Sequence, residues 1–292
     1  MTTLHRGAPR IDVLLEGFGV NTNTGLAALC AVVLVEGNDA AGNLKRILID
    51  PAHVGRRTYL WDALASRGLG PTDIDLVVLT HAHWDHVQNI DVFDHAPLLV
   101  HPDERRYAMD PHRNDWATPA WTGAILERQL IQEIQDGDEL IPGVGIIDMA
   151  GHTVGSIGVT VQNEEGMSII TGDALHYASV AVNRMNPLVF WDPEQALASI
   201  DRAVALADVI YPGHDRAFRV TKDQQIEYLR PFELAITGIT ANAAGLSFDP
   251  LPRPAWVMPG VEDLAARKQQ FRDAAEIRRR ERAELAQLTN EA

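Results

Sequence analysis

The chain has a single cysteine, Cys30, in 292 residues. This excludes an internal disulfide framework and any cysteine-rich zinc module. It lacks a run of about 18 apolar residues, the length that a membrane-spanning helix needs. The start, Met1–Arg10, has two basic residues but no apolar stretch of the kind that a secretory signal requires. The expectation is a soluble, cytoplasmic protein with no membrane partner. Aromatic residues are few, at 6%. Positive charge is also scarce: 25 Lys and Arg stand against 40 Asp and Glu, a net charge of −15. Polyanion binding draws its affinity from Lys and Arg that displace counterions, so a nucleic-acid partner is not expected. With 46% apolar content the chain can bury a substantial core, which excludes wholesale disorder.

Short runs rich in Val, Ile and Leu read as strands: Ile11–Leu15, Ala28–Val35, Arg46–Asp50, Leu76–Thr80, Pro97–His101, Gly145–Met149, Gly158–Val161, Ser168–Thr171 and Val209–Tyr211. Helical spacing places Leu60, Trp61 and Leu64 on one side of Thr58–Ser66. Pro193–Ala207 opens with Asp192 as cap and Pro193 in the first turn, and Ala196, Leu197, Ile200, Ala203 and Val204 recur at three and four. This order of elements suits two sheets packed face to face with helices outside, not a regular βαβ alternation. Three segments follow: a body over 1–242, a Pro-rich arm over 243–260 and a terminal helix over 261–292. The last holds seven basic and seven acidic residues, so the net charge belongs to the rest of the chain. That helix is expected to pack on the body or on a partner subunit in a homodimer.

The abundant exception is histidine, with 11 copies. Residues 80–86 read Thr-His-Ala-His-Trp-Asp-His, directly after the apolar strand Leu76–Leu79. A turn after a strand can aim alternate side chains at one locus, so His81 and His83 can share one ion, and Asp85 and His86 can turn to a second. Neutral imidazole and carboxylate are what zinc and similar divalent ions bind.

This motif resembles the signature of the metallo-β-lactamase superfamily, and four further marks follow the family's order. They are Leu48-Ile49-Asp50, Gly151-His152-Thr153-Val154-Gly155-Ser156, Thr171-Gly172-Asp173-Ala174 and Tyr211-Pro212-Gly213-His214-Asp215. The resemblance implies a four-layer αβ/βα sandwich with the metals at the edge between its sheets. It implies that His81, His83 and His152 hold the first metal, that Asp85, His86 and His214 hold the second, and that Asp173 bridges them. Asp50 would orient ligand imidazoles. The ions would be two divalent metals, zinc first, with Mn, Fe or Co open to the same ligands.

The implied activity is hydrolysis of an ester, lactone or amide bond of a small molecule by a metal-bridging hydroxide, with Asp85 as a proton shuttle. Asp173 in place of Cys counts against the β-lactamases with a cysteine ligand, and His83 in place of Glu against the flavin-linked diiron oxygen reductases. Lactonases of the family carry a Tyr three residues after the bridging Asp. Here His176 holds that place and Tyr177 follows; either could bind a carbonyl oxygen or protonate a leaving group. A glyoxalase-II-like thioesterase, a mono-iron dioxygenase and a phosphodiesterase are the alternatives. The pocket is expected to be rimmed by the Gly17–Leu26 loop with Phe18, by Trp116 and Trp121 in a polar lid, and by Phe190 and Trp191.

Overall fold

The computed structural model describes residues 7–236 and 254–290. Residues 243–253 of the Pro-rich arm, with Pro250 and Pro252, lie outside them. Two mixed sheets form the centre. The first runs in the order Arg10–Leu15, Val32–Asn38, Leu44–Ile49, Leu76–Val78, Leu98–Val100, Ile131–Glu133. The second runs Ile226–Tyr228, Phe218–Val220, Val209–Pro212, Gly166–Gly172, Ile157–Asn163, Val144–Asp148, Glu139–Ile141.

Alternation along the strands builds four layers, because successive side chains leave a strand on opposite faces. Val33, Val35, Ile47, Ile49, Val78 and Leu99 of the first sheet meet Val144, Ile146, Ile157, Val159, Val161 and Ile170 of the second in one buried cluster. Their neighbours Leu34, Leu48, Val77 and Leu98 face the other way, onto Leu60 and Leu64 of helix Arg57–Ala65. On the far side, Ile147, Ile169, Ile210 and Phe218 pack against Ile200 and Ala203 of helix Pro193–Leu206. The result is helix, sheet, sheet, helix, as expected.

Three local expectations change. Trp61 does not share the buried face of Leu60 and Leu64: it is 43% exposed, because adjacent residues point about 100° apart around a helix. Leu197 turns outward beside buried Ala196 for the same reason. Gly17–Leu26 is not a loop; most of it lies in a hairpin, Phe18–Thr22 paired with Gly25–Leu29.

The terminal helix, Ala265–Asn290, docks on the body of the chain. Phe271 stacks edge-on to Trp191 at 5.4 Å, Lys268 pairs with Asp192 at 3.1 Å and Arg278 with Asp103 at 2.7 Å. Ahead of it, Trp256–Val257 pairs with Leu188–Val189 as a short parallel ribbon. Among the described residues, no helix is long and apolar enough to cross a membrane.

Candidate metal centre

Parallel pairing brings strand ends together. Ile49 pairs with Val78 in the first sheet and Gly172 with Pro212 in the second. Asp50, Thr80, Asp173 and His214 therefore leave neighbouring C-terminal strand ends, where open α/β sheets place their sites. The chain after Leu76–Val78 bends at Thr80 and reaches His83, whose extended backbone stands at the N-terminus of the short helix Trp84–Val87. His81 and His83, two residues apart before the helix, reach one locus, and the helical turn carries Asp85 and His86 to the next.

Two groups result: His81, His83, His152 and Asp173, and Asp85, His86 and His214, each with its ligand atoms within 4.8 Å of one another. All seven residues are buried. Asp173 faces both groups. Its Oδ2 lies 3.7 Å from His152 Nε2 and 3.2 Å from His214 Nε2, and its Oδ1 lies 3.4 Å from His86 Nε2. Asp85 Oδ2 lies 3.3 Å from His214 Nε2.

The outward nitrogens of three imidazoles are committed elsewhere. His86 Nδ1 donates to Asp50 Oδ2 at 2.8 Å. His81 Nδ1 donates to Thr80 Oγ1 at 3.0 Å, and that hydroxyl donates on to Asp50 Oδ2 at 2.6 Å. His152 Nδ1 donates to the Leu188 carbonyl at 2.7 Å. Each leaves Nε2 turned inward as a lone pair. The inner atoms His81 Nε2, Asp85 Oδ2, His86 Nε2 and Asp173 Oδ1 are buried without a hydrogen-bond partner, and His83 turns its Nδ1 to the same locus, 3.0 Å from His152 Nε2. An orphaned buried polar group costs about 1–3 kcal/mol, so atoms that converge in this way call for a shared partner. Nitrogen and carboxylate donors that converge and are otherwise unpaired fit divalent cations.

Electrostatics agree with this reading. Burial, reinforced by neighbouring imidazoles, pushes His81 and His83 well below the usual histidine pKa and His152 down to about 3. These three rings are neutral at pH 7, as ligation requires. His214 differs: burial opposes its charge, but Asp173 and Asp85 lift it to about 10. Asp173 is buried too, yet His176, His214 and His86 hold it well below the ordinary carboxylate range. In the metal-free protein a proton on His214 thus stands where a cation would. Metal must displace it, so affinity should rise with pH, by about tenfold per unit for each proton released. Chelator competition between about pH 6 and 8 checks this; a flat profile contradicts it.

The remaining predicted residues divide. His176 Nε2 is 3.0 Å from Asp173 Oδ2, and its ring stacks on His214 at 5.7 Å. Tyr177 donates its hydroxyl to the Gly19 carbonyl at 3.3 Å, and burial pushes that phenol up to about 12. Both line the cleft over the histidines, as does Trp116. Phe18, Trp121 and Trp191 do not line it. On the hairpin, Gly19 faces Tyr177, so alternation turns Phe18 away, onto Phe232 at 5.9 Å. Trp121 precedes helix Thr122–Leu126 and lines a separate surface cavity with Val54 and Ile125. Trp191 is core, between Tyr107 and Phe271, while its neighbour Phe190 faces the site and touches the His83 ring at 4.6 Å. Sequence reasoning passed over Glu104, buried behind the histidines, since an acidic residue in a helix's first turn ordinarily reads as surface. Cys30 donates its thiol to the Asp85 carbonyl at 3.1 Å and stays outside both groups.

The cleft is lined on one side by Leu26 and Ala28 of the hairpin and on the other by Trp84, Trp116, Leu188 and Phe190. Among the described residues, no Lys or Arg lines it.

The sequence signature of the metallo-beta-lactamase superfamily matches residues 27–214. Metallo-beta-lactamase domain-containing protein 1 of Xenopus laevis is 30% identical over 223 residues, 75% of this chain and 86% of that protein. An N-acyl homoserine lactonase of Bacillus thuringiensis is 27% identical over 152 residues, 51% of this chain and 58% of the lactonase. The structure of B. thuringiensis AiiA with N-decanoyl-L-homoserine at its active site aligns with a TM-score of 0.56 at 20% identity, covering 71% of this chain and 93% of that one. That last likeness is one of fold.

Proposed function

The chain belongs to the metallo-β-lactamase superfamily and is a hydrolase of it; from that premise we propose that it opens an ester, lactone or amide bond of a small molecule at a dinuclear metal centre. One observation carries the reading: buried His and Asp atoms, unpaired and convergent, form two groups with Asp173 between them. In this reading His81, His83 and His152 hold one ion, Asp85, His86 and His214 the other, and Asp173 both. Asp50 fixes the imidazoles of His86 and, through Thr80, of His81. Zinc is the expected metal, with Mn, Fe or Co compatible with the same ligands.

Held by these residues, two divalent ions would supply Lewis acidity toward a carbonyl and a water whose pKa falls to about 7. The chain's own side chains do the rest. Asp85 takes up the proton released as water adds to the carbonyl. His176, in contact with Asp173, and Tyr177, whose phenol stays protonated, are placed to give a proton to the leaving oxygen or nitrogen. Trp116 and Phe190 line the cleft and seat an apolar part of the substrate.

Metal-loaded protein assayed against lactones, esters, thioesters, amides and β-lactams tests the reading. Turnover of one class that is lost with a chelator and restored by metal supports it; no turnover of any class by fully loaded protein contradicts it. With an ester that carries an apolar acyl group, Trp116→Ala should raise KM about tenfold, the worth of some 60 Å² of lost apolar contact, and lower kcat far less. Steady-state kinetics check this.

A further inference from the structure

Glu104 has a place in the molecule that the proposed chemistry does not explain. It sits in the first turn of helix Pro102–Met109 and is 1% exposed. Among the described residues it has no Lys or Arg partner, so hydrogen bonds alone hold the carboxylate. Its Oε1 accepts from the Ala82 amide at 2.8 Å. Its Oε2 accepts from Thr153 Oγ1 at 2.8 Å and from the Gly155 amide at 2.9 Å. Ala82 stands between His81 and His83, and Thr153 follows His152. One side chain therefore ties together two loops that lie far apart in the chain, and these loops supply all three histidines of the first metal group.

The surroundings are shaped for this. A Cβ on Gly155 would lie 2.4 Å from the Glu104 backbone nitrogen, so the second loop approaches this closely only because residue 155 is glycine. Burial pushes the Glu104 carboxyl up to about 7, so the fold holds this group at a cost. The terminal helix closes the arrangement from behind. Arg278 grips Asp103, the residue before Glu104, at 2.7 Å. Lys268 grips Asp192, whose amide donates to the Gly151 carbonyl at 3.0 Å, directly before His152. His83 Nδ1 and His152 Nε2 face each other at 3.0 Å between these anchors.

We propose that Glu104 is a positioning residue for the first metal group, setting the spacing of His81 and His83 against His152, and that the terminal helix braces it through Arg278 and Asp103. The inference rests on the reading that this group holds a metal. The helix lies beyond residues 27–214, the span matched by the family signature.

The test is chelator competition on the full chain loaded with zinc, and with cobalt as a spectroscopic reporter, alongside thermal unfolding of the metal-free protein. Glu104→Gln keeps one acceptor but sets an amide N–H against the Gly155 amide. It should weaken one of the two ions by about 10–100-fold, as losses behind metal ligands do. The other ion should change by less than about threefold, and the cobalt spectrum should lose the signature of one site. Arg278→Ala should weaken the same ion by a smaller factor. Should Glu104→Ala fail to fold, these two variants still decide the matter. Variants that bind both ions like the parent overturn the proposal, as does equal weakening of both ions in step with a lower melting temperature of the metal-free chain. A parent chain that binds no metal would instead remove the reading on which it stands.

Discussion

Asp173→Ala should abolish turnover and strip both ions from the centre. Its carboxylate faces both sets of ligands, 3.7 Å from His152 Nε2 on one side and 3.2 Å from His214 Nε2 and 3.4 Å from His86 Nε2 on the other. Without it, two divalent cations would sit among imidazoles with only Asp85 to balance them. Metal activation of water supplies several kcal/mol of barrier lowering. At 1.36 kcal/mol per decade, losing about 4 kcal/mol is about a thousandfold in rate. The variant should contain less than half the parent's metal by elemental analysis and show residual turnover at or below about a thousandth of the parent's. Metal-free parent and metal-free variant should both remain folded. Full turnover with the metal gone would contradict the account.

The same residue shows what sequence can and cannot convey. The candidate ligand set is legible because four of its members lie within residues 81–86 and the others each follow a glycine, Gly151, Gly172 and Gly213, in a fixed order. The layers are legible in the order of elements and in the resemblance, whereas the opposite facing of Val33 and Val35 against Leu34, and of Ile47 and Ile49 against Leu48, needs the structure because these runs are apolar throughout. Facing was less legible wherever aromatic residues stand side by side. Phe190 and Trp191 read alike in the sequence, yet one meets the histidines and the other the terminal helix. Phe18 carried no sign that Gly19 takes the inward face of the hairpin. Asp50 was named only through the resemblance; its double duty through His86 and Thr80 needed the structure. Glu104 carries no motif at all, since its meaning lies in amides 22 and 51 residues away.

Gly213→Ala should be nearly as damaging as the loss of Asp173, though Gly213 bears no chemical group. The glycine lies against the carboxylate: a Cβ there would stand 2.0 Å from Asp173 Oδ1 and 2.9 Å from the Gly172 carbonyl carbon. Neither can yield easily. The carboxylate is fixed among the ligands, and the backbone at Gly172 is already held at φ +50 with Thr80 beside it. Forced overpacking of this kind costs about 1–3 kcal/mol in stability. Here it also displaces the shared ligand, so metal affinity should fall by at least about a hundredfold, as for a mispositioned ligand. Gly42→Ala is the control. Its φ is +86, but nothing lies within 4 Å of the added carbon. It should cost about 1–2 kcal/mol from backbone strain alone and leave metal binding intact. Thermal unfolding and chelator competition on both variants separate the two effects; parent-like metal affinity in Gly213→Ala would contradict the close packing around Asp173.

The central claim is that His81, His83, His152, Asp173, Asp85, His86 and His214 form one dinuclear centre. Its most direct test is the metal content of the protein purified without chelator and reconstituted with zinc, measured per chain in the parent and in His83→Ala and His214→Ala. The account predicts two ions in the parent and about one in each variant, since each histidine belongs to a different group. A parent that binds no zinc, or variants that keep two ions, would contradict it.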